Sequence, residues 1–162
     1  MNRHYTKEQY FDKVKLIRKY FPNAAITTDI IIGFPTETED DFNESLEFVK
    51  QVNFSEMHIF PYSKRKGTVA EKFKNIATNV PERVSKMTKI ALFNKMNYIQ
   101  NNLGTTHQVV IENMKNGYYL GHTKNYILCY IKSDIPLKSN TYQTVTLKEP
   151  FEDGATAEIV KM

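Results

Sequence analysis

Apolar residues recur every three or four positions near the start of the chain, which is the spacing of an amphipathic helix. The residues that share this face are Tyr10, Val14, Ile17 and Phe21. The run Thr6-Lys7-Glu8-Gln9 has the form of a capping box, so we expect the helix to begin after Thr6. Pro22 and Asn23 follow the last apolar position and predict the end of the helix.

Two short apolar runs flank a second predicted helix. The first, residues 26–32, is rich in β-branched residues and ends at Gly33-Phe34-Pro35, which is typical of a buried strand. Thr38 can cap the following helix, whose first turn carries carboxylates that favour the positive end of the helix dipole. The second run is residues 56–60. Strand, helix and strand in this order predict a right-handed parallel unit.

The period of the pattern changes near Gly104. Residues 81–104 form an amphipathic, lysine-rich stretch opened by Asn79 and Pro81, which predicts a basic connecting helix. Beyond Gly104, apolar and polar residues alternate in short runs. The turn signals between these runs lie at residues 116–117, 123–125, 138–140 and 153–154. Short strands with closely spaced turns predict a small antiparallel β-barrel over residues 105–162.

The α/β part of the chain is too small to close on itself. Two parallel strands cannot form a barrel, and strands this apolar need cover on both faces. An edge strand at residues 26–32 would also expose unpaired backbone groups. We therefore expect residues 1–80 to be the closing part of a larger α/β barrel, and we expect the isolated chain to self-associate through the exposed barrel edge.

Side-chain parity assigns a direction to the polar residues of both predicted strands. Alternate residues of a strand point to opposite faces, so Asp29, Glu56 and His58 lie on the face away from the helices. Unpaired charges inside a barrel are costly, and we expect these side chains to bind one another or a ligand. Asp29 and His58 are expected on adjacent strands, within direct or water-bridged hydrogen-bonding distance.

The composition is that of a folded protein. With 41% hydrophobic and 25% charged residues, the chain is neither disordered nor fibrous. No apolar run is long enough to span a bilayer and the N-terminus has no signal-peptide core, so we expect a cytoplasmic protein without a membrane partner. Cys129 is the one cysteine, so this chain alone cannot build a disulfide or a cysteine-ligated iron–sulfur cluster.

The net charge of +4 is unevenly distributed along the chain. Residues 64–95 carry nine Lys and Arg against two Asp and Glu, whereas residues 105–162 carry six of each. The basic stretch can follow a phosphate backbone, or it can be a solvated helix face. Aromatic residues of the predicted barrel can stack on nucleobases or fill its core. These are Tyr118, Tyr119, Tyr126, Tyr130 and Tyr142.

Three segments are predicted to meet at the carboxyl ends of the parallel strands, where sites form in α/β folds. They are residues 1–4, 33–37 and 61–65. Gly33 and Pro35 make a tight strand exit whose backbone can approach a planar ligand closely, because glycine has no side chain. An ordinary strand-to-helix turn is the alternative interpretation.

These segments carry a family resemblance. The runs MNRHYT, TTDIIIGFPTETEDDF and FPYSKRKGTVA, followed by a lysine-rich helix and a barrel containing GHTKNY, resemble the C-terminal part of a radical S-adenosylmethionine (radical-SAM) tRNA methylthiotransferase. The resemblance covers nearly the whole chain. The run SEMHIFPYSKRKGT is most similar to the threonylcarbamoyladenosine 2-methylthiotransferase type. The terminal barrel resembles a TRAM domain, which is an RNA-binding module.

The resemblance implies an intact enzyme that adds a methylthio group at C2 of a modified adenosine next to the tRNA anticodon. Its cofactors would be S-adenosylmethionine and two 4Fe-4S clusters. The implied cofactor-pocket residues are Ile31, Gly33, Phe34, Pro35, Pro61, Tyr62 and Ser63. The implied contacts to tRNA or to anionic cofactor groups are Arg3, Lys64, Arg65, Lys124 and Asn125. The resemblance assigns no catalytic residue and no metal ligand to this chain.

The family's cluster-binding cysteines lie in upstream segments that this chain lacks. Radical chemistry needs those clusters, so we expect this polypeptide alone to hold no cofactor and to have no methylthiotransferase activity. The expected partners are the tRNA anticodon stem-loop and the missing N-terminal part of the same enzyme. A stand-alone, non-catalytic RNA-binding module is the alternative, and a truncated reading frame without independent function is a third possibility.

Overall fold

A computed structural model describes residues 4–160 as a mixed α/β protein, which confirms the predicted fold class at this level. The chain divides into two compact units, the first running to Lys95 and the second beginning at Met96. The third helix, α3, spans Val80–Asn102. It contributes Met87 to the core of the first unit and Ile99 to the core of the second. None of the helices in the described residues is long and apolar enough to cross a membrane.

The first unit contains two helices whose first residues are capped by threonine side chains. Helix α1 spans Lys7–Tyr20 and starts with the capping box that the sequence predicts after Thr6. Helix α2 spans Glu39–Val52. The Asp41 backbone N–H donates to the Thr38 hydroxyl oxygen at 3.1 Å, and the Thr38 N–H donates back to the Asp41 carboxylate at 2.9 Å. Local sequence therefore determines where both helices begin.

Strands β1, Thr27–Ile32, and β2, Glu56–Pro61, pair in parallel. One face of this sheet packs against the helices, as side-chain parity predicts. The buried residues of that core are Val14, Ile32, Phe42, Val49, Val52, Phe54, Met57 and Met87. Within the described residues each strand has one partner only, so both outer edges and the second face of the sheet are open.

The open face corrects one prediction. Asp29 and His58 are directly opposite in the register, as expected for adjacent strands. Both side chains are exposed, however, and no hydrogen bond or ion pair joins either of them to another described residue. The prediction that they partner each other is wrong because water, not a barrel interior, solvates this face. Glu56 instead accepts a hydrogen bond from Lys95 Nζ at 2.9 Å.

The second unit contains five strands. They are β3 (Thr106–Lys115), β4 (Tyr118–Thr123), β5 (Leu128–Ile131), β6 (Tyr142–Phe151) and β7 (Gly154–Ile159). Their pairing runs β3-β4-β5-β7-β6 and returns to β3, so each strand has two neighbours. The expectation of a purely antiparallel arrangement is wrong at one place, since β5 and β7 pair in parallel.

The interior of the second unit is aliphatic. Its buried residues are Ile99, Val109, Ile111, Ile127, Cys129, Ile131, Val145, Leu147, Ala155 and Ala157. Residues 132–141 follow β5 and carry the chain across to β6, which is why the next hairpin brings β7 back beside β5 in the same direction. Alternation along the sequence predicts the inward residues of these strands but not the direction of that last pairing.

Candidate functional site

A pocket of about 400 Å³ lies at the carboxyl ends of β1 and β2. The residues that line it are Ile31, Phe34, Phe60, Pro61, Tyr62, Ser63, Arg65, Thr68 and Ala70. The structure thus brings together five of the seven residues predicted to bind a cofactor, along with the predicted anion contact Arg65. Gly33 and Pro35 do not line the pocket, although they belong to the same turn as Phe34.

Aromatic rings form one wall of this pocket. The Phe34 and Tyr62 rings meet edge to face, with centroids 5.6 Å apart, and Phe73 approaches Phe34 in the same manner at 6.2 Å. The Tyr62 backbone N–H donates to the Ile32 carbonyl at 2.7 Å, which fixes the Tyr62 main chain against β1. The Tyr62 hydroxyl is buried and has no hydrogen-bond partner among the described residues. A buried hydroxyl left unpaired is destabilising, so this group favours an acceptor brought by a ligand.

The turn that follows β1 requires glycine. Gly33 has a φ of +77°, and a Cβ built there would lie 2.6 Å from Val80 Cγ2. The Gly33 N–H donates to Glu37 Oε2 at 2.9 Å. Pro35 is buried, and its carbonyl accepts a hydrogen bond from the Ile76 N–H at 2.8 Å. The chain is therefore held close to its neighbours on both sides of Phe34.

A buried arginine holds this turn in place. Arg83 is 3% exposed, and its Nη1 and Nη2 atoms donate to Glu37 Oε2 at 2.7 Å and to Glu39 Oε2 at 2.8 Å. Its guanidinium also lies over the Phe42 ring at 5.2 Å. Burial opposes the charge of Arg83, but the two carboxylates outweigh burial, and the net effect raises the pKa of the guanidinium. Glu37 thereby links Arg83 to the Gly33 amide.

Sequence reasoning missed Arg83. It lies 46 residues from Glu37 along the chain, within the stretch that the sequence predicts to be a basic connecting helix. The sequence predicts that Glu39 favours the helix dipole and places Glu37 only in the segment 33–37 at the strand ends. No local spacing relates these residues, so the sequence offers no signal for the cluster.

The loop after β2 presents two predicted anion contacts. Lys64 and Arg65 are exposed. The loop is ordered by its own hydrogen bonds, since the Thr68 hydroxyl donates to the Arg65 carbonyl at 2.8 Å and the Gly67 N–H donates to Glu71 Oε2 at 2.7 Å. A short 3₁₀ helix, Val69–Lys72, follows. The remaining predicted contact of the first unit, Arg3, lies outside the described residues.

The turn after β4 carries the predicted RNA contacts of the second unit. Lys124 is exposed. Asn125 is half-buried, and its side chain accepts a hydrogen bond from the Thr123 hydroxyl at 2.7 Å and donates to Asn102 Oδ1 at 3.0 Å. The amide of Asn125 is therefore engaged within the protein, and its contact with RNA stays a prediction.

The tyrosines of the second unit divide between core and surface. Tyr130 is 7% exposed, and its hydroxyl donates to the Asp153 and Glu152 carboxylates at 2.5 and 3.1 Å. Burial, followed by these hydrogen bonds, raises the pKa of the Tyr130 phenol. Tyr126 and Tyr142 are instead 74% and 66% exposed. Stacking on nucleobases is open to the exposed rings only.

The described residues offer no metal centre. No group of three or more His, Cys, Asp or Glu among them is placed to hold a metal ion. Cys129 is buried within the second unit, and burial raises the pKa of its thiol to about 12. A thiol that stays protonated at neutral pH is a poor metal ligand.

Comparison with known proteins identifies related sequences. No family model matches the chain. The chain is 55% identical over 84 residues to tRNA-2-methylthio-N(6)-dimethylallyladenosine synthase of Clostridium tetani, a match that covers 52% of the chain and 18% of that protein. The protein of the same name from Thermosipho africanus is 36% identical over 137 residues, covering 80% of the chain and 32% of that protein.

A third relative matches nearly the whole chain. Threonylcarbamoyladenosine tRNA methylthiotransferase MtaB of Bacillus subtilis is 31% identical over 170 residues, covering 99% of the chain and 38% of that protein. Among solved structures, the apo form of Mycoplasma genitalium RNase R has a TM-score of 0.34 at 12% identity, covering 56% of this chain and 19% of that chain.

The relatives differ in the nucleoside that their names give but share the same type of reaction. The dimethylallyladenosine type matches with higher identity over half of the chain, and the threonylcarbamoyladenosine type matches over almost all of it. The chain spans between 18% and 38% of the length of these curated relatives. From these matches, the chain belongs to the tRNA methylthiotransferase family.

Proposed function

We propose that the chain is the C-terminal part of a radical-SAM enzyme that adds a methylthio group at C2 of a modified adenosine next to the tRNA anticodon. One observation carries this proposal. The pocket at the ends of β1 and β2 collects five of the seven residues that the family resemblance assigns to the cofactor. Sites of α/β folds form at this end of parallel strands.

The pocket fits S-adenosylmethionine in size and chemistry. A cavity of about 400 Å³ lined by Ile31 and Phe34 offers apolar walls to a planar base. The unpaired Tyr62 hydroxyl can donate a hydrogen bond to an acceptor of the ligand. Arg65 places a positive charge at the same pocket, where it can pair with a carboxylate. When bound, S-adenosylmethionine supplies the radical and methyl-transfer chemistry of the family.

The iron–sulfur clusters do not fit the described residues. Cys129 is the one cysteine of the chain, and its thiol is buried and protonated at neutral pH. In our proposal other segments of the enzyme hold both clusters. The chain alone is expected to form no 5′-deoxyadenosine when incubated with iron, sulfide, reductant and S-adenosylmethionine.

The remaining surfaces are assigned to partners. We propose that the second unit is a TRAM-like module that binds the tRNA anticodon stem-loop in the cytoplasm. We assign the open face and edge of β1 and β2 to the N-terminal part of the same enzyme, because Ile31 and Phe60 are exposed there beside unpaired strand edges. A second copy can cover the same surface when the chain is isolated.

Nucleoside analysis of tRNA tests the proposed function. Deleting the gene that encodes the chain is expected to remove one 2-methylthio adenosine derivative from total tRNA, as measured by liquid chromatography and mass spectrometry. The missing derivative identifies the nucleoside, threonylcarbamoyl or dimethylallyl. An unchanged set of 2-methylthio nucleosides would overturn the proposal and, if the chain still binds RNA, would favour the stand-alone RNA-binding module.

Ligand binding tests the pocket itself. The intact enzyme that contains this chain is expected to bind S-adenosylmethionine in isothermal titration calorimetry, and Tyr62→Phe is expected to weaken this binding by about fivefold to tenfold, the effect of one lost hydrogen bond. Lys124→Ala serves as the matched control, because Lys124 belongs to the second unit. Equal affinity of Tyr62→Phe and the wild-type enzyme would remove Tyr62 from the site.

A further inference from the structure

The turn between β4 and β5, residues 123–127, presents an aromatic ring and a cation to solvent. Tyr126 is 74% exposed, and Lys124 two residues earlier is also exposed. Tyr126 has a φ of +62°, which is a left-handed conformation that bulky residues rarely adopt. A strained residue of this kind persists only where the surrounding structure holds it.

The turn is closed by its own hydrogen bonds. The Tyr126 N–H donates to the Thr123 carbonyl at 3.0 Å, and the Ile127 N–H donates to the Thr123 hydroxyl oxygen at 2.9 Å. The Thr123 N–H donates back to the Ile127 carbonyl at 3.0 Å. Thr123 and Ile127 are both buried, so the two ends of the turn are anchored in the core of the second unit.

A buried network attaches the turn to the last part of α3. The Asn125 amide donates to Asn102 Oδ1 at 3.0 Å, and Asn102 is 5% exposed. The Tyr98 hydroxyl donates to the Asn125 carbonyl at 3.0 Å, and the Asn102 amide donates to the Tyr98 carbonyl at 2.8 Å. Asn125 thus anchors the backbone of the turn, and its neighbours Lys124 and Tyr126 are exposed on either side of it.

We propose that the 123–127 turn is a contact for single-stranded RNA, in which Tyr126 stacks on an unpaired base and Lys124 pairs with an adjacent phosphate. This inference rests on the proposed function, which supplies a tRNA loop as the substrate class. An aromatic ring stacks on any base, because every base has a π face. Residues 105–162 carry six Lys and Arg against six Asp and Glu, so stacking has to supply the affinity that a net positive charge does not.

The second unit contains a matched control for this turn. Tyr142 is 66% exposed on the same unit, but it lies at the start of β6, where it pairs with Val110. No lysine or arginine lies within two residues of it along the chain. The two tyrosines are therefore exposed to a similar degree, whereas the hydrogen-bonded turn and the adjacent cation belong to Tyr126.

Fluorescence anisotropy of a labelled anticodon stem-loop RNA, titrated with the whole chain, tests the inference. Tyr126→Ala is expected to weaken binding by about 5- to 150-fold, whereas Tyr126→Phe and Tyr142→Ala keep the wild-type affinity. Lys124→Ala is expected to lower the slope of log affinity against log salt by about 0.7, the value for one phosphate contact on a single strand. The effect of Tyr126→Ala is expected to vanish on a blunt duplex without a loop.

The outcomes separate this inference from the proposed function. If the wild-type chain binds the stem-loop and Tyr126→Ala binds equally well, the turn is not the contact, and the proposed function stands. If the wild-type chain binds no RNA, both the inference and RNA binding by the second unit are wrong. Tyr126→Phe keeps the ring and the strained backbone, so an equal loss in Tyr126→Phe and Tyr126→Ala would assign the effect to the hydroxyl and overturn stacking. Circular dichroism of each variant confirms that the second unit is folded.

Discussion

The two units solve the same problem of strand pairing in opposite ways. In the second unit each of the five strands has two neighbours and the pairing closes on itself. In the described part of the first unit β1 and β2 have one neighbour each, and Ile31 and Phe60 are exposed on the open face. A closed sheet has no edges to cover, whereas an open one depends on its helices and on a partner. The stability of the first unit therefore depends more on its helices and on a partner than the stability of the second unit does.

The units also differ in how they hold the turns that carry the proposed sites. The turn after β1 is fixed by an ionic cluster in which Arg83 contacts Glu37 and Glu39. The turn after β4 is fixed by neutral hydrogen bonds among Thr123, Asn125 and Asn102. Breaking a buried ion pair leaves an uncompensated charge, which costs more than the loss of a neutral hydrogen bond. The site turn of the first unit is thus rigid but sensitive to a single substitution.

The largest effect is expected for Arg83→Met. Removing the buried guanidinium leaves Glu37, whose side chain is 11% exposed, without its ion-pair partner, at a cost of about 3–5 kcal/mol in the free energy of unfolding of the first unit. Urea denaturation followed by hydrogen exchange of first-unit amides measures this cost. Glu39→Gln is the control, because the Glu39 side chain is 56% exposed and its pairing is worth much less. Wild-type stability of Arg83→Met would show that the cluster does not hold the turn.

A matched pair of isoleucines sharpens the comparison of the two sheets. Ile131 is fully buried in the closed sheet, and Ile131→Ala is expected to cost about 2–5 kcal/mol. Ile31 is 36% exposed on the open face, and Ile31→Ala is expected to cost less than about 1 kcal/mol. Denaturant titration of both variants provides the values. Equal costs would contradict the view that the open face of the first unit is solvated.

The rate at which Cys129 is labelled measures how often the second unit opens. Burial raises the pKa of its thiol to about 12, so thiol reagents at neutral pH react with it only when the second unit opens. Ile131→Ala is therefore expected to speed the labelling of Cys129, and Arg83→Met to leave it unchanged. Faster labelling of Cys129 in the Arg83→Met variant would show that the two units do not unfold separately.

A pair of glycines separates crowding from backbone conformation. Gly33 and Gly117 have φ values of +77° and +80°, so alanine at either position carries a conformational cost of about 1–2 kcal/mol. Gly33→Ala also places a Cβ against Val80, whereas nothing lies within 4 Å at Gly117. Gly33→Ala is therefore expected to cost more than Gly117→Ala in thermal unfolding. Adding Val80→Ala should recover the difference but not the shared conformational cost, and no recovery would rule out crowding.

The sequence predicts the local features of the first unit. The capping box at Thr6, the helix cap at Thr38, the parity of β1 and β2, and the glycine of the strand exit depend on residues close together in the chain, and the structure has them in these places. The sequence does not reveal the Arg83 cluster, the parallel pairing of β5 with β7 or the solvation of Asp29 and His58. Each of these depends on which distant segment is nearby, and periodicity carries no information about that.

The smallest effect on stability is expected for a substitution on the open face of the β1–β2 sheet. Phe60 is 51% exposed on the open face, so Phe60→Ser should change the free energy of unfolding by less than about 0.5 kcal/mol. If this face is a docking surface, the same substitution reduces self-association of the isolated chain in sedimentation velocity, because it removes apolar area from the contact. Leu92→Ser is the control, since Leu92 is 59% exposed on α3 and not on the sheet. Equal self-association of the wild-type chain and Phe60→Ser would mean that the open sheet recruits no second copy, and the N-terminal part of the proposed enzyme would then be its one proposed partner.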